Sequence, residues 1–260
     1  MRNTFDYISR WISTKISVLF RNALTASAIM VLTCIAVKSD VFEEYGATKA
    51  CLFALLMCNV WSGIFNSIGI FYSEKDYIPD DLTKFLPVHS YIAGNIVIQL
   101  FQCMLEALLS TSVFKLFFDY ESEGVFFPSR NHEFLITFFL ILFSADALGF
   151  LAGLLIKNIT SIMSAIPVIL VAQFLFSGCL FELSDFFNVI AGFTTAKWGF
   201  YSLGSIADLN SLLPPQMENS IFKAEADYII RCWRSMILLS VFFILLSGIV
   251  LYIKVNRKKT

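Results

Sequence analysis

Long apolar runs, separated by short polar connections, fill most of the sequence. A helix needs roughly 20 predominantly apolar residues to cross the hydrocarbon core of a bilayer, and six of the runs meet or nearly meet that length. They lie near residues 23–40, 48–72, 88–118, 134–156, 160–181 and 232–254. The pattern therefore predicts an all-α membrane protein, with a six-span transmembrane domain over residues 23–260.

The first residues of the chain follow a different pattern. Apolar side chains recur there at spacings of three and four residues, which places them on one face of a helix, and basic and hydroxyl side chains occupy the other face. The apolar positions are Phe5, Ile8, Ile12, Ile16 and Leu19. Trp11 suits the level of the lipid headgroups. Residues 1–22 are therefore predicted to form an amphipathic helix that lies on the membrane surface.

Basic residues are concentrated at both ends of the chain. They are Arg2, Arg10, Lys15 and Arg21 before the first span, and Lys254, Arg257, Lys258 and Lys259 at and after the end of the last span. Because an excess of Lys and Arg marks the cytoplasmic side, both termini are expected in the cytoplasm, which requires an even number of spans. We expect an integral protein of a bacterial plasma (inner) membrane.

The connection between the second and third spans, residues 73–91, has the pattern of a short helix. Two acidic residues precede an apolar group, and acidic side chains favour a helix N-terminus because of the macrodipole. The residues are Asp80, Asp81, Leu82, Phe85 and Leu86. This cytoplasmic helix is predicted to bind a partner protein or the membrane surface through its apolar side chains.

The connection between the fifth and sixth spans, residues 182–231, contains an apolar stretch that is too short to cross a bilayer. Such a segment is predicted to be re-entrant or interfacial at the outer face, where protein must cover its free backbone groups. Lys197 and Trp198 lie within it. They are interpreted either as an anchor at the membrane interface or as part of an outer gate.

The composition agrees with a membrane location and argues against several functions. The chain is 57% hydrophobic and 15% charged, whereas soluble domains average about 25% charged residues. The net charge of −1 offers no basic face of the kind that binds nucleic acid. The sequence has no phosphate-binding loop, no zinc-ligand pattern and no nucleophile elbow, so we expect neither a bound metal nor catalysis by this chain.

Two carboxylates, Glu106 and Asp146, lie inside predicted spans. A charge at the centre of a spanning helix costs about 2.5–3.5 kcal/mol on insertion scales, so such residues face the protein interior. Glu106 shares a helix face with Gln99 and Gln102. Two interpretations stay open for both acids: a buried hydrogen-bond network that holds spans together, or a translocation pathway.

Other residues of the predicted spans and loops have simpler interpretations. Ala145, Gly149 and Gly153 recur every four residues, and a ridge of small residues lets helices approach closely in lipid. The pair His132 and Glu133 is interpreted as a solvated end of an outer loop. The six cysteines are interpreted as small buried residues; a disulfide involving Cys179 or Cys232 stays open.

Four stretches together resemble one known family. They are SEKDYIPDDLTKFLPVHSYIAGN at 73–95, SADALGFLAGLLIKN at 144–158, PVILVAQFLFSGCLFEL at 167–183 and FTTAKWGFYSLGSIADLN at 193–210. With the order of the spans, they resemble the permease, or transmembrane, subunit of a type-2 ATP-binding-cassette transporter with the G-subfamily-like exporter fold. The acidic start of the family's coupling helix is weaker here.

The resemblance implies a set of roles. Such a permease pairs with a second copy or a homologue, and separate ATPase subunits, which bind ATP and Mg, drive it; the chain itself then holds no cofactor. Residues 73–91 would be the coupling helix and residues 1–22 the connecting helix. Phe174 and Ser177 would lie near a central cavity, and the exported cargo would be hydrophobic or amphipathic.

Two other functions are kept as alternatives. The same scaffold could serve as a membrane binding or immunity protein that does not pump. It could also be a secondary transporter in which Glu106 and Asp146 relay protons, although such transporters commonly contain inverted repeats and none stands out in this sequence.

Overall fold

A computed structural model describes residues 2–37, 40–74, 87–120, 123–156, 158–180, 183–214, 219 and 221–259. In these ranges the regular structure is entirely helical, which confirms the predicted all-α class. The helices are α1 (Arg2–Ala36), α2 (Tyr45–Glu74), α3 (Val88–Phe117), α4 (Arg130–Leu155), α5 (Ile159–Leu175), α6 (Asp185–Ala191), α7 (Thr195–Ile206) and α8 (Ala226–Lys259), with a 3₁₀ helix at Leu209–Leu212.

Five helices of the described chain are long and apolar enough to cross a membrane. These stretches are Thr4–Ala36, Tyr45–Ile68, Val88–Phe117, Arg130–Leu155 and Ala226–Asn256. The remaining predicted span, 160–181, corresponds to α5, which has 17 residues and is therefore about 25 Å long. It ends early because the chain turns at Gly178, where φ is +77°. A sixth full-length span therefore stays a prediction.

α1 is one continuous helix, whereas the sequence pattern predicted a surface helix followed by a separate span. It contains neither Gly nor Pro, so no residue of the type that usually interrupts a helix divides it. The apolar face predicted for its first half is largely exposed, with Phe5 73% accessible. Trp11 is 2% accessible and packs among protein side chains, so it does not face lipid as a headgroup anchor would; its depth in the membrane stays a prediction.

Both chain termini lie at the same end of the helix bundle. Tyr7 from the start of α1 and Leu251 from the end of α8 belong to one buried cluster, together with Tyr91 and Leu154. Tyr91 is near the start of α3 and Leu154 near the end of α4. This arrangement fits helices that alternate in direction along the chain.

α2 and α4 pack most extensively of all helix pairs in the described structure. A Cβ added to Gly63 would lie 2.5 Å from the carbonyl oxygen of Leu142 and 2.9 Å from the Cβ of Ala145. A Cβ added to Gly149 would lie 2.5 Å from the carbonyl oxygen of Ile64. Small residues therefore let the two backbones meet at the centre of the bundle; Gly153 is also buried.

The described segment after α5 contains α6, whose side chains are mostly exposed, and α7, whose side chains are mostly buried. Most of α7 is inaccessible, and hydroxyl contacts join it to α4: Ser144 lies 2.8 Å from Thr195, and Thr137 lies 3.2 Å from Ser202. α7 therefore packs as part of the bundle. Its depth in the membrane stays a prediction.

All six cysteines are free thiols. The pairing that the sequence left open for Cys179 or Cys232 is therefore not formed. Cys232 is fully buried, and Cys179 is partly buried, which agrees with their interpretation as small packed side chains.

The substitution Gly149→Ala is expected to destabilise the bundle, because the added methyl group would collide with backbone of α2. Overpacking of this kind lowers the free energy of unfolding by about 1–3 kcal/mol, measurable by denaturant titration in detergent micelles. Gly248→Ala in α8 is the matched control, since its Cβ would meet Ile92 at an ordinary 3.4 Å. Equal stability of the two variants would contradict the close α2–α4 contact.

Candidate functional site

The carboxyl group of Glu106 is the centre of a buried polar cluster between α2 and α3. Ser62 Oγ donates to Oε2 at 2.7 Å, and Asn66 Nδ2 donates to Oε1 at 2.9 Å. Gln102 Nε2 also donates to Oε1. Glu106 is 1% accessible. We call Ser62, Asn66, Gln102 and Glu106 the Glu106 cluster.

A second polar cluster surrounds Asp146 on α4. Ser67 Oγ donates to Asp146 Oδ1 at 2.6 Å and lies 2.7 Å from the Asp146 carbonyl oxygen. Gln99 Nε2 donates to Ser67 Oγ at 2.8 Å. We call Ser67, Gln99 and Asp146 the Asp146 cluster. It adjoins the Glu106 cluster because Asn66 and Ser67 are consecutive on α2.

α1 joins the Glu106 cluster by two contacts. Asn22 Nδ2 donates to Asn66 Oδ1 at 3.2 Å, and Gln102 Nε2 donates to the Leu19 carbonyl oxygen at 3.3 Å. Four helices, α1 to α4, therefore meet through polar side chains at neighbouring positions inside the bundle. In the described part of the chain, the side-chain partners of both carboxyl groups are hydroxyls and amides.

Not every polar atom of this region is satisfied. Asp146 Oδ2 and Gln102 Oε1 are buried and have no hydrogen-bond partner among the described residues. A buried polar atom without a partner costs free energy, and each such atom can accept a hydrogen bond from a further group. The arrangement can therefore accept at least one further donor.

A cavity of about 960 Å³ lies beside the Glu106 cluster, between α1, α2 and α5. Ser62 and Asn66 line the cavity and also bond Glu106, so they form the wall between the two. Most other lining side chains are apolar; they include Val18, Ile29, Met57, Trp61, Phe65, Ile68, Met163, Leu170, Val171 and Phe174. The cavity is thus apolar over most of its surface, with polar groups where it adjoins the Glu106 cluster.

The predicted pathway residues occupy different places. Gln102 and Glu106 meet in one cluster, and Gln99 and Asp146 in the other. Phe174 lines the cavity, with its ring 5.2 Å from that of Phe53. Ser177 does not line it: its hydroxyl donates to the Phe174 carbonyl oxygen at 2.8 Å, which closes the turn after α5.

Lys197 and Trp198 connect α7 to α6. Lys197 Nζ donates to the Asn188 carbonyl oxygen at 3.0 Å and to the Asn188 side-chain oxygen. Trp198 Nε1 donates to the Gly192 carbonyl oxygen at 2.9 Å. Burial lowers the pKa of the Lys197 ammonium group. These contacts hold the two short helices together; the role of the pair as gate or anchor stays a prediction.

The predicted partner-binding residues lie outside the described part of the chain. This applies to Asp80, Asp81, Leu82, Phe85 and Leu86. The described ends of α2 and α3 flank that segment at Glu74 and Val88.

Sequence reasoning missed the α2 half of the polar region. Ser62, Asn66 and Ser67 were not singled out. Ser62 and Asn66 are four residues apart on one span and therefore share a helix face, and this spacing would have found the pair. Ser67 follows directly after Asn66 and bonds Asp146 instead. Arg21 was assigned to a surface helix, whereas it lines the cavity.

The interpretation of Glu133 as part of a solvated loop end is wrong. Glu133 is 0% accessible, and its Oε1 accepts the backbone N–H groups of Phe126 at 2.5 Å and Phe127 at 2.8 Å. The carboxyl group therefore orders the loop that precedes α4. His132 is exposed, as predicted.

The long apolar helices and the cavity within them define an integral membrane protein with a polar centre. Residues 1–206 match the family model of the ABC-2 type transporter, which covers most of the 260 residues and includes α1 to α7. The chain belongs to this family, the permeases of type-2 ABC transporters, and is a transmembrane transport component. No curated protein matches the chain.

The Glu106 cluster predicts different outcomes for two substitutions of its acid. Glu106→Gln keeps an oxygen for the two amide donors, and Ser62 can accept from the new amide, so stability should change little. Glu106→Leu leaves those donors buried without a partner, and we expect a loss of about 1–3 kcal/mol in free energy of unfolding. Denaturant titration in micelles compares them. An equal loss for both would show that the charge, and not the hydrogen bonds, stabilises this region.

Glu133→Ala is expected to loosen the loop before α4. The backbone amides of Phe126 and Phe127 would lose their acceptor, so their hydrogen–deuterium exchange should accelerate by at least about tenfold. Glu123→Ala is the matched control, because the side chain of Glu123 is exposed. Unchanged protection of both amides in Glu133→Ala would contradict the role assigned to this carboxyl group.

Proposed function

We propose that this chain is the permease subunit of an ATP-driven exporter. Two copies, or this chain and a homologue, form the translocation pathway, and separate ATPase subunits that bind ATP and Mg supply the energy. The observation that carries the proposal is the cavity between α1, α2 and α5. It is large and mostly apolar, and Ser62 and Asn66 of the Glu106 cluster form part of its wall. Family membership supports pairing with ABC ATPases in general.

The chemistry of the cavity supports pairing of two permeases. Arg21 and Asn22 line it alongside apolar side chains such as Trp61 and Val171 that are exposed in the single chain. A guanidinium that faces lipid is costly, whereas a second permease against α1, α2 and α5 would enclose it in the protein. The cargo would then move along the seam between the two permeases.

The position of the polar clusters supports coupling through residues 73–91. That segment joins α2 to α3, and these two helices carry Ser67 and Gln99, close to its two ends. A push on the connecting segment would therefore act first on the helices that hold the Glu106 and Asp146 clusters. The clusters would pass the movement to α1 and α4.

The proposed orientation places both termini in the cytoplasm. The starts of α1 and α3 and the ends of α4 and α8 pack together at one end of the bundle, which agrees with the basic residues at both chain ends. The segment at 73–91 connects helix ends on that same side. A bacterial inner membrane is the location that we propose.

Reconstitution with the cognate ATPase tests the proposal. Adding the permease should raise ATP turnover, and Phe85→Asp should reduce the gain at least about tenfold, because a charge would disrupt an apolar contact with the ATPase. Phe126→Asp is the matched control, since Phe126 is exposed in the connection between α3 and α4. No gain in turnover, or labelling of residues 73–87 from the outer face, would refute the proposal.

One observation favours a second candidate, a proton-coupled transporter. Asp146 Oδ2 is buried and lacks a partner among the described residues, so this oxygen could carry a proton without breaking a hydrogen bond. Transport that follows an imposed pH gradient without ATP, and that is lost in Glu106→Gln, would support this candidate over the exporter.

A further inference from the structure

The cavity is lined by one basic side chain, Arg21, for which the described residues supply no partner. Arg21 lines it, and the guanidinium makes no hydrogen bond or ion pair with another described residue. A guanidinium remains charged at physiological pH and presents a planar fork of donors that matches carboxylate and phosphate oxygens. Arg21 is exposed at the edge of a mostly apolar cavity, and in that place its guanidinium is suited to bind an anion.

The polar and apolar groups of the cavity are separated along its length. α1 and α2 run in opposite directions there, because Asn22 contacts Asn66 while Thr33 contacts Cys58. Arg21 thus lies at the end that is marked by Asn22 and Asn66. Toward the other end the lining becomes apolar, with Ile29, Met57 and Phe174.

From this separation we infer that the cavity binds an amphipathic anion that enters from the bilayer. The acidic head group, a carboxylate or phosphate, pairs with Arg21, and an acyl or aromatic body lies along Ile29 and Phe174. The Asn22 amide has two N–H groups and uses one toward Asn66, so the other can donate to the head group. This inference rests on the proposed function, because it names the cargo class of the same cavity.

Size and access agree with a ligand of this kind. The volume of about 960 Å³ lies near the top of the range of about 300–1,000 Å³ for ligand sites. It therefore accommodates a lipid-sized molecule. Ile29, Trp61 and Val171 line the cavity and are exposed on the surface of the single chain. An amphiphile in the bilayer would therefore reach the cavity in the state in which the second permease does not cover this face.

Binding to the full chain in phosphatidylcholine nanodiscs tests the inference. The probes are cis-parinaric acid, a fluorescent fatty acid, and its uncharged methyl ester, which share the same apolar body. Energy transfer from Trp61 reports occupancy, with Trp61→Phe as the background. The acid should bind at least about tenfold more tightly than the ester, because a charge-assisted contact of guanidinium with carboxylate is worth this much or more.

Three variants identify the group that recognises the charge. Arg21→Gln should abolish the preference for the acid and leave ester binding unchanged. Arg21→Lys should retain part of the preference, because it keeps the charge without the fork. Arg234→Gln is the matched control, since Arg234 is exposed on α8 and does not line the cavity; it should bind both probes as the original chain does.

Three results would overturn the inference. They are equal affinity for acid and ester, an unchanged preference in Arg21→Gln, and binding of neither probe. In the last case, cross-linking of two Trp61→Cys chains would show that a second copy fills the cavity. If the permease stimulates the ATPase but shows no preference for the acid, the exporter proposal is supported and this cargo class is refuted. If binding depends on Arg21 but the ATPase is not stimulated, the anion site is supported and the exporter proposal is refuted.

Discussion

The burial of the Glu106 carboxyl group is the constraint on which the arrangement of the first helices depends. Inside a bilayer no water can satisfy that group, so hydroxyl and amide donors must come from the protein. Ser62 and Asn66 supply them from α2, and Gln102 from the preceding turn of α3. A shift of either helix along its axis would leave these groups unpaired, which costs more than the bonds contribute when formed. The cluster therefore fixes the register of α2 against α3.

The close packing of α2 on α4 extends this constraint across the bundle. Gly63 and Gly149 bring the two backbones together, and Ser67 then reaches the Asp146 side chain. Ser67 follows directly after Asn66, so one turn of α2 serves both buried acids. α2 is consequently the helix through which a movement at the 73–91 connection would reach α1, α3 and α4. The face of α2 that carries Met57, Trp61 and Phe65 also lines the cavity, so under the proposed function one helix would serve both coupling and ligand binding.

Much of this architecture could be predicted from the sequence, because apolar run length and intramembrane polarity are strong local signals. The all-α class follows from the runs, and the burial of Glu106 and Asp146 follows from the cost of exposing them to lipid. The donors on α2 were harder to find, since Ser62, Asn66 and Ser67 are inconspicuous one at a time and their partners are about 40 or more residues away along the chain. Trp11 and Glu133 were misread for a related reason: the residue type suggested an interface or a loop, and only the tertiary packing buries them.

The cavity adjoins two ionisable side chains, Glu106 and Arg21, and the protein accommodates them in different ways. Glu106 sits behind Ser62 and Asn66 and is already satisfied, so it needs no ligand to offset its burial. Arg21 lies on the open side with no described partner, and under the proposed cargo class an anion would stabilise its charge in the loaded state. A polar group that has hydrogen-bond partners in every conformational state holds the helices in register. A charged group that has a partner in only one state stabilises that state relative to the others. The contribution of Arg21 to the free energy of the protein would therefore differ between an empty and a loaded permease more than that of the buried acids. Such a difference in free energy between two states is what couples ligand binding to a conformational change.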